Sequence, residues 1–382
     1  MRILFSTTPL DGHFRPLLPL ARALRERGHE LAFATAGAWH GHVEAEGFPA
    51  LAAGADHATA RAVRLDGELA AVARLRGVDR RHYVFPYLFA EGHATLKLKE
   101  LLDVARRWLP DAVVHEAADL AGPPVAAALG VPTVHHAFGT MVPRAALRRA
   151  GDAMAPLWAD LGLEPDPYGG AFRGIYVDVV PPSFDDERPL APSIRLRPAL
   201  DGAAPAPRWL ADLRRPLVYA TLGTVFNTPE SFGPMLEALG SCAVGALVTV
   251  GRDVDPAELA PVPANVRVER FVPQDQVLPA CAAVVTHGGS GTVLGALAAG
   301  VPMVVLPQGA NQFDNAFRCE RAGVAQVVQP EHATAVTIEA ALRAVLENPS
   351  YREAARRIQD EIAEMRPVAE VAAAVEEHAA RR

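Results

Sequence analysis

The stretch VVTHGGSGTVLGALAAGVPMVVLPQGANQFDNA, residues 284–316, decides the fold. A short apolar run leads into a histidine and a set of small residues, then an apolar helical stretch and a second apolar run. Strands that alternate with helices indicate right-handed βαβ units and parallel sheets. Small residues before a helix let backbone N–H groups approach an anion such as a diphosphate. Glycines alone are a weak signal, so a turn that uses them only for packing stays open.

The same alternation continues along most of the chain. It predicts strands at 2–7, 31–36, 112–115, 133–138, 217–223, 246–251, 266–272, 282–287, 302–307 and 325–329. Proline is dense over 181–216, which favours an interdomain linker there. We predict an α/β fold of two doubly wound, Rossmann-like domains facing a cleft: 1–200 including the start of the linker, and 217–365. Residues 366–382 are expected to form a helix that returns to the first domain, and 56–95 to form helices and loops around a pocket.

Composition excludes several classes of protein. The 382 residues carry a net charge of −7, whereas a nucleic-acid surface needs a basic stripe. No apolar stretch is long enough for a membrane span, and the start MRILFSTTP is typical of a strand, not of a signal peptide. Cys242, Cys281 and Cys319 have no metal-site spacing and are expected to be buried free thiols. We therefore expect a cytoplasmic protein without nucleic-acid or membrane partners.

Read at full length, residues 284–316 resemble the nucleotide-sugar signature of the family 1 glycosyltransferases of the GT-B fold, especially the actinobacterial natural-product transferases. The resemblance spans nearly the whole chain. It is carried by HGGSGT (287–292), AGVP (299–302), PQGANQ (307–312), RFVPQ (270–274), ATLGT (220–224) and GHFRPLL (12–18).

The resemblance implies a donor site in the second domain. His287 and the amides of Gly288, Gly289, Ser290, Gly291 and Thr292 are expected to hold the diphosphate, with His287 as a charge-assisted donor. Gly223 and Thr224 would face the same phosphates. Phe271 and Val272 would meet the pyrimidine base through their backbone, although an aromatic residue at a strand end is often core. Asn311 and Gln312 would bind the sugar hydroxyls, and Gln308 belongs to the same set.

Two departures from the family pattern concern the choice of donor. Asn311 stands where Asp is common, and a neutral amide, which both donates and accepts, suits a sugar with a missing or altered hydroxyl. Gly295 stands where many relatives place the Glu that binds the ribose, so the preference for a 2′-OH is weakened. We therefore expect a dTDP-linked deoxysugar in preference to a UDP-hexose.

His13 is the candidate general base. It follows the first strand at the start of a helix, and a histidine is suited to take the proton of an acceptor hydroxyl. Its second ring nitrogen needs a carboxylate. Glu116 occupies the family's orienting position, Asp119 is a reserve candidate and Asp11 a local one. Apolar side chains of the first domain (Phe85, Tyr87, Phe89, Phe138, Met141, Trp158) indicate a largely apolar small-molecule acceptor.

These expectations combine into an inverting glycosyltransferase in which the helix terminus neutralises the leaving group, so that no metal or other cofactor is needed. Two alternatives stay open: a nucleotide-sugar 2-epimerase of the same architecture, and a non-catalytic helper that binds nucleotide sugar. The helper would have no need for His13. The oligomeric state, a homodimer included, is left open by the sequence.

Overall fold

The computed structural model describes residues 1–64, 75, 82–184, 187–198, 205–223, 228–251 and 254–381. Contacts divide the chain into two compact units. The N-terminal unit comprises Met1–Val179, Glu187–Leu196 and Arg366–Arg382, and the C-terminal unit comprises Val180–Asp186 and Arg197–Met365. Each unit holds a parallel sheet with flanking helices, so the predicted α/β class with two doubly wound sheets is confirmed.

The sheet of the N-terminal unit has seven strands in the order β3-β2-β1-β4-β5-β6-β7, and every neighbouring pair is parallel. Its central strands are continuous apolar runs because helices cover both faces of such a sheet. Ile3, Leu4 and Phe5 are accordingly fully buried. The strands are β1 Arg2–Ser6, β2 Glu30–Thr35, β3 Ala50–Ala52, β4 Ala112–Glu116, β5 Thr133–His136, β6 Ile175–Asp178 and β7 Ser193–Arg195.

Helices connect these strands. A π-helix, Pro86–Ala94, leads directly into a longer α-helix. The described α-helices of this unit are Asp11–Phe14, Leu18–Glu26, His40–Ala45, His57–Arg64, Thr95–Trp108, Gly122–Leu129, Arg144–Asp160 and Val368–Ala380.

The proline-rich segment 181–216 is not only a linker, and this part of the prediction is wrong. Ser193–Arg195 form β7, which pairs with β6 at the edge of the N-terminal sheet. Pro192 and Pro198 flank this strand. Proline is tolerated at a sheet edge, where no further strand needs its missing N–H. The high proline content therefore led to the prediction of a linker where the structure has a short edge strand.

The sheet of the C-terminal unit has six parallel strands in the order β10-β9-β8-β11-β12-β13. The strands are β8 Leu217–Thr221, β9 Gly245–Thr249, β10 Val266–Glu269, β11 Ala283–Thr286, β12 Met303–Val305 and β13 Ala325–Val327. The described α-helices are Gly233–Ser241, Gln274–Val277, Ser290–Ala298, Gln312–Arg321, Ala335–Glu347 and Pro349–Glu364. The order reverses between β8 and β11, and ligands of open α/β sheets bind at such a point, outside the carboxyl ends of the strands.

The chain ends on the N-terminal unit. Helix Val368–Ala380 lies against helix Leu18–Glu26, with Arg27 donating to the Glu376 carboxylate. His378 Nε2 lies 3.1 Å from the carbonyl oxygen of Thr133. The three cysteines are buried free thiols, as predicted. Among the described residues, no helix has the length and apolar character that a membrane span requires.

Candidate active site

The carboxyl ends of β1 and β4 bring His13 and Glu116 together. β1 is followed by the short helix that carries His13, and β4 pairs beside β1 and ends at Glu116. Parallel strands end at the same edge of a sheet, so residues distant in sequence meet there. Nδ1 of His13 lies 3.1 Å from Oε2 of Glu116, a close contact whose geometry is not that of a well-aligned hydrogen bond. The structure thus joins the two residues that the sequence pattern pairs.

Glu116 is held as a carboxylate. Its side chain is fully buried, and Oε1 accepts from the Thr8 amide at 3.2 Å and the Thr8 hydroxyl at 2.9 Å. Oε2 accepts from the amide of Ala118 at 2.6 Å. Burial alone would raise the pKa of Glu116, but His13 and these donors outweigh it and lower that pKa to about 2. A permanent negative charge at Nδ1 favours the tautomer with its proton there, which leaves Nε2 as the basic nitrogen.

The two reserve carboxylates do not fit the structure as partners of His13. Oδ2 of Asp119 accepts from Lys97 Nζ at 2.5 Å and from the Ser6 hydroxyl at 2.8 Å, and Oδ1 accepts from two backbone amides. A carboxylate offers about four lone-pair sites, and these contacts use them all. Asp11 pairs with Arg15, Nε to Oδ1 at 2.9 Å. The buried Lys97–Asp119 pair is a structural element beneath the strand ends.

Aromatic rings surround His13. The ring centroids of Phe138 and Phe89 lie 4.4 and 5.6 Å from that of His13. Phe89 stacks on His93, centroid to centroid at 5.7 Å, and His93 Nε2 lies 3.1 Å from His57 Nδ1. Burial lowers the pKa of His93 to about 3, so the two imidazoles form a neutral hydrogen-bonded pair near pH 7.

Sequence reasoning placed 56–95 around a pocket but did not single out His57 and His93. These two histidines are 36 positions apart in the sequence, and no known sequence motif links them. The one available signal was the spacing of Phe85, Phe89 and His93, four residues apart, which puts them on one side of a helical segment.

In the C-terminal unit, the glycines around His287 have a packing reason as well as an anion-binding one. A Cβ on Gly289 would collide with Nε2 of the His287 ring, and one on Gly223 would lie 2.6 Å from the same atom. Gly288 has a φ of +86°, and a Cβ there would lie 2.8 Å from Cγ1 of Val305. The imidazole therefore lies between two glycines at the end of β11, and the packing alternative and the anion alternative are compatible.

Burial lowers the pKa of His287 to about 4, against a smaller opposing effect of the Thr221 carbonyl. In the protein alone the imidazole is therefore neutral near pH 7. Because a diphosphate beside the ring would raise this pKa, the charge-assisted role of His287 stays a prediction.

The amides of the His287 loop are not all available to an anion. The Gly288 amide donates to the Thr286 hydroxyl at 3.1 Å, so its assignment to the diphosphate does not fit. Gly289 is the N-cap of helix Ser290–Ala298, and no described side chain caps this helix. The first-turn amides of Ser290, Gly291 and Thr292 lack intrahelical acceptors and are left for a ligand.

Polar side chains form hydrogen bonds with the side chains of the first turn of this helix. Gln274 Nε2 donates to Thr292 Oγ1 at 2.9 Å, and Asn311 Nδ2 lies 2.9 Å from Ser290 Oγ. Gln312 is 4% exposed, and its Oε1 accepts from the amides of Gln308 at 2.7 Å and Gly309 at 3.0 Å. The carbonyl end of Gln312 therefore fixes the loop after β12, which leaves only its amide nitrogen for a sugar hydroxyl.

The remaining predicted residues lie at the same sheet edge or outside the described chain. Phe271, after β10, is 50% exposed, so the core alternative for its ring is wrong, whereas Val272 is buried. Gly295 is buried in helix Ser290–Ala298. Thr224 lies outside the described residues.

Comparison with known proteins identifies relatives of this arrangement. The family model described as erythromycin biosynthesis protein CIII-like matches residues 22–223 with its N-terminal domain and 235–378 with its C-terminal domain. The elloramycin glycosyltransferase ElmGT of Streptomyces olivaceus is 33% identical over 98% of this chain and 96% of its own. The TDP-daunosamine transferase DnrS of Streptomyces peucetius is 32% identical over 95% and 93%.

A solved structure shows the same fold over the full length. The glycosyltransferase VinC, determined in complex with dTDP, superposes with a TM-score of 0.81 at 25% identity and covers 100% of both chains. The two sheets are therefore those of a GT-B glycosyltransferase.

Proposed function

This chain belongs to the erythromycin biosynthesis protein CIII-like family of glycosyltransferases, and we propose that it moves a deoxysugar from dTDP to an apolar small-molecule acceptor with inversion at the anomeric carbon. The observation that carries the proposal is the contact of His13 Nδ1 with the buried, ionised Glu116 carboxylate. A non-catalytic helper that only bound the nucleotide sugar would not need a histidine next to a buried carboxylate.

The proposed reaction is a single displacement. Nε2 of His13 takes the proton of the acceptor hydroxyl as that oxygen bonds to the anomeric carbon, and the bond from this carbon to the diphosphate oxygen breaks. Glu116 stabilises the imidazolium that forms, because the carboxylate faces Nδ1. Attack opposite the leaving group inverts the configuration, and the proton then passes from His13 to solvent.

The proposed donor nucleotide is dTDP. Support comes from two relatives, a TDP-daunosamine transferase and VinC, whose structure was determined in complex with dTDP, and from Gly295, which offers no carboxylate to a ribose 2′-OH. The departing diphosphate would be neutralised by the amides of Ser290, Gly291 and Thr292 and by the helix dipole, so we propose that no metal ion is required.

The proposed acceptor is apolar because rings flank the base. Phe138 and Phe89 pack beside the His13 imidazole, and each is half-buried. Such rings favour a hydrophobic molecule that presents one hydroxyl to His13.

The test is transfer by the purified chain from a dTDP-deoxysugar to a panel of hydroxylated apolar natural products, with the product anomer assigned by NMR. We expect transfer with inversion, undiminished by a chelator, and a loss of about 10²–10⁴-fold in turnover for His13→Ala with dTDP affinity unchanged. His42→Ala, an exposed histidine of the same unit, is the matched control and should keep full activity.

Other outcomes would overturn the proposal. Conversion of the donor without any acceptor would identify an epimerase, and nucleotide binding without any turnover would identify a helper. A retained anomeric configuration would exclude the single displacement, and a strict metal requirement would contradict the account of the leaving group.

A further inference from the structure

From the side chains behind the His287 loop, we infer that Asn311 and Asn315 are positioning residues that direct the hydroxyl proton of Ser290 toward an oxygen of the bound diphosphate. The inference rests on the proposed function and deepens it. Neither asparagine has to touch the nucleotide for this role, since both act through Ser290.

The orientation of the Asn315 amide is fixed by its surroundings. Its Nδ2 lies 2.8 Å from the carbonyl oxygen of Gly288, and a carbonyl oxygen only accepts, so the atom at that position must be the nitrogen. The same nitrogen lies 3.2 Å from Ser290 Oγ. Asn315 is 1% exposed and cannot turn to solvent. Its second amide hydrogen is therefore donated to the serine.

The hydroxyl of Ser290 can then form only one further hydrogen bond. A hydroxyl group carries one proton and two lone pairs. Asn315 occupies one lone pair and Asn311, with Nδ2 at 2.9 Å, occupies the other. Only the O–H proton remains, and it must point away from both amides. Ser290 is the first residue of its helix, where the unpaired amides of the first turn also face outward.

The result is a site composed of donors. The imidazole of His287, the first-turn amides and the Ser290 hydroxyl can all present hydrogens, which suits fully ionised oxygens. A carboxylate at position 311 or 315 would reverse the Ser290 hydroxyl, because its proton would then be donated into the protein. Asn in place of Asp at 311 therefore has a reason that lies in the protein, through its contact with Ser290.

The experiment is a double-mutant cycle read by calorimetry with dTDP, UDP and inorganic pyrophosphate, the last because it carries the diphosphate without a nucleoside. We expect Ser290→Ala to lower affinity about tenfold or more, as for a lost hydrogen bond to a charged group. Asn315→Ala should lower it about three- to tenfold in the wild-type background and less than twofold in the Ser290→Ala background. Asn311→Ala, at a less buried position, should show the same coupling to Ser290.

Controls separate positioning from folding. Asn265 is another amide of the C-terminal unit, which donates to the carbonyl oxygens of Leu239 and Val244. Asn265→Ala should reduce the melting temperature without changing affinity. Asn315→Asp should weaken binding more than Asn315→Ala, because it both reverses the hydroxyl and adds a negative charge.

Equal losses for Asn315→Ala with and without the serine hydroxyl would overturn the inference, since Asn315 would then act only through the Gly288 backbone. Unchanged affinity in Ser290→Ala would overturn it as well. A chain that binds UDP or pyrophosphate but not dTDP would contradict the proposed donor and leave the cycle measurable. Failure to bind any of the three would overturn both.

Discussion

Replacement of Glu116 by Gln tests the candidate base most directly, because every neighbour of the carboxylate is a donor. In one orientation the new NH₂ group faces the Ala118 amide, where Oε2 now accepts at 2.6 Å, and it also faces Nδ1 of His13. The histidine proton would then shift to Nε2, which removes the basic lone pair. In the other orientation the NH₂ group faces the Thr8 amide, and His13 keeps its tautomer but loses its counter-charge.

The magnitudes follow from these contacts. Either orientation leaves one buried N–H group without an acceptor, which costs about 1–3 kcal/mol of folding free energy. Loss of the correct tautomer or of the charge that stabilises the imidazolium should reduce turnover by about 10²–10⁴-fold. Affinity for dTDP should stay within about twofold, because the proposed nucleotide contacts lie on the C-terminal unit.

The assay is the single-turnover rate at saturating donor, together with calorimetry and urea unfolding. Asp119→Asn is the matched control, because it breaks the buried pair with Lys97 without removing a contact of His13. Breaking a buried pair costs about 3–5 kcal/mol, so this variant should lose more stability but far less activity. A Glu116→Gln enzyme that turns over within threefold of wild type would refute the assignment of Glu116, whatever its stability.

Three further predictions concern other parts of the molecule. Gly289→Ala should cost about 1–3 kcal/mol and weaken dTDP binding, since its Cβ would collide with the imidazole packed on it, whereas Gly233→Ala, with open space around its Cβ, should do neither in calorimetry and urea unfolding. His93 and His136 are buried with pKa values lowered to about 3 and about 4, so the stability they contribute is complete well above pH 6.5 and falls as the pH drops through 6.5. Together they should lose about 3 kcal/mol between pH 6.5 and 5, and urea unfolding that shows a flat profile there would contradict their burial as neutral groups. The wild-type chain should bind dTDP at least as tightly as UDP in competition calorimetry, because Gly295 offers no carboxylate to a ribose 2′-OH, and a wild type that prefers UDP tenfold would refute the deoxynucleotide assignment.

Much of the fold was predictable because its signal is local. Each central strand is an apolar run between helical stretches, and β1, β4, β8 and β11 follow from that pattern. β3, β6 and β7 were missed because strands at or next to the edge of the sheet are short, and because β7 lies in a proline-rich segment. The pairing of His13 with Glu116 was predictable for a topological reason, since adjacent parallel strands end at one edge.

Side-chain competition inside the protein was not predictable. Glu116 and Asp119 lie three positions apart at the end of one strand, and apart from the family resemblance the sequence gives no reason to prefer either as the partner of His13. The structure distinguishes them because Lys97, from a distant part of the chain, binds the Asp119 carboxylate. The Gly288 amide and the Gln312 carbonyl look available for a ligand until the structure shows Thr286 and the 308–309 backbone satisfying them. Such contacts are set by tertiary packing, which no motif records.

The path of the chain also limits how relatives can be recombined. The N-terminal unit takes its last strand from Glu187–Leu196 and its last helix from within Arg366–Arg382, so neither unit is one continuous piece of sequence. A chimera joined at a single point near residue 197 would combine one parent's sheet with another parent's closing helix, including the Arg27–Glu376 contact. Exchange of the segment Arg197–Met365 for that of a relative therefore calls for two junctions, one after Leu196 and one before Arg366, so that helix Val368–Ala380 stays with the N-terminal unit to which it belongs.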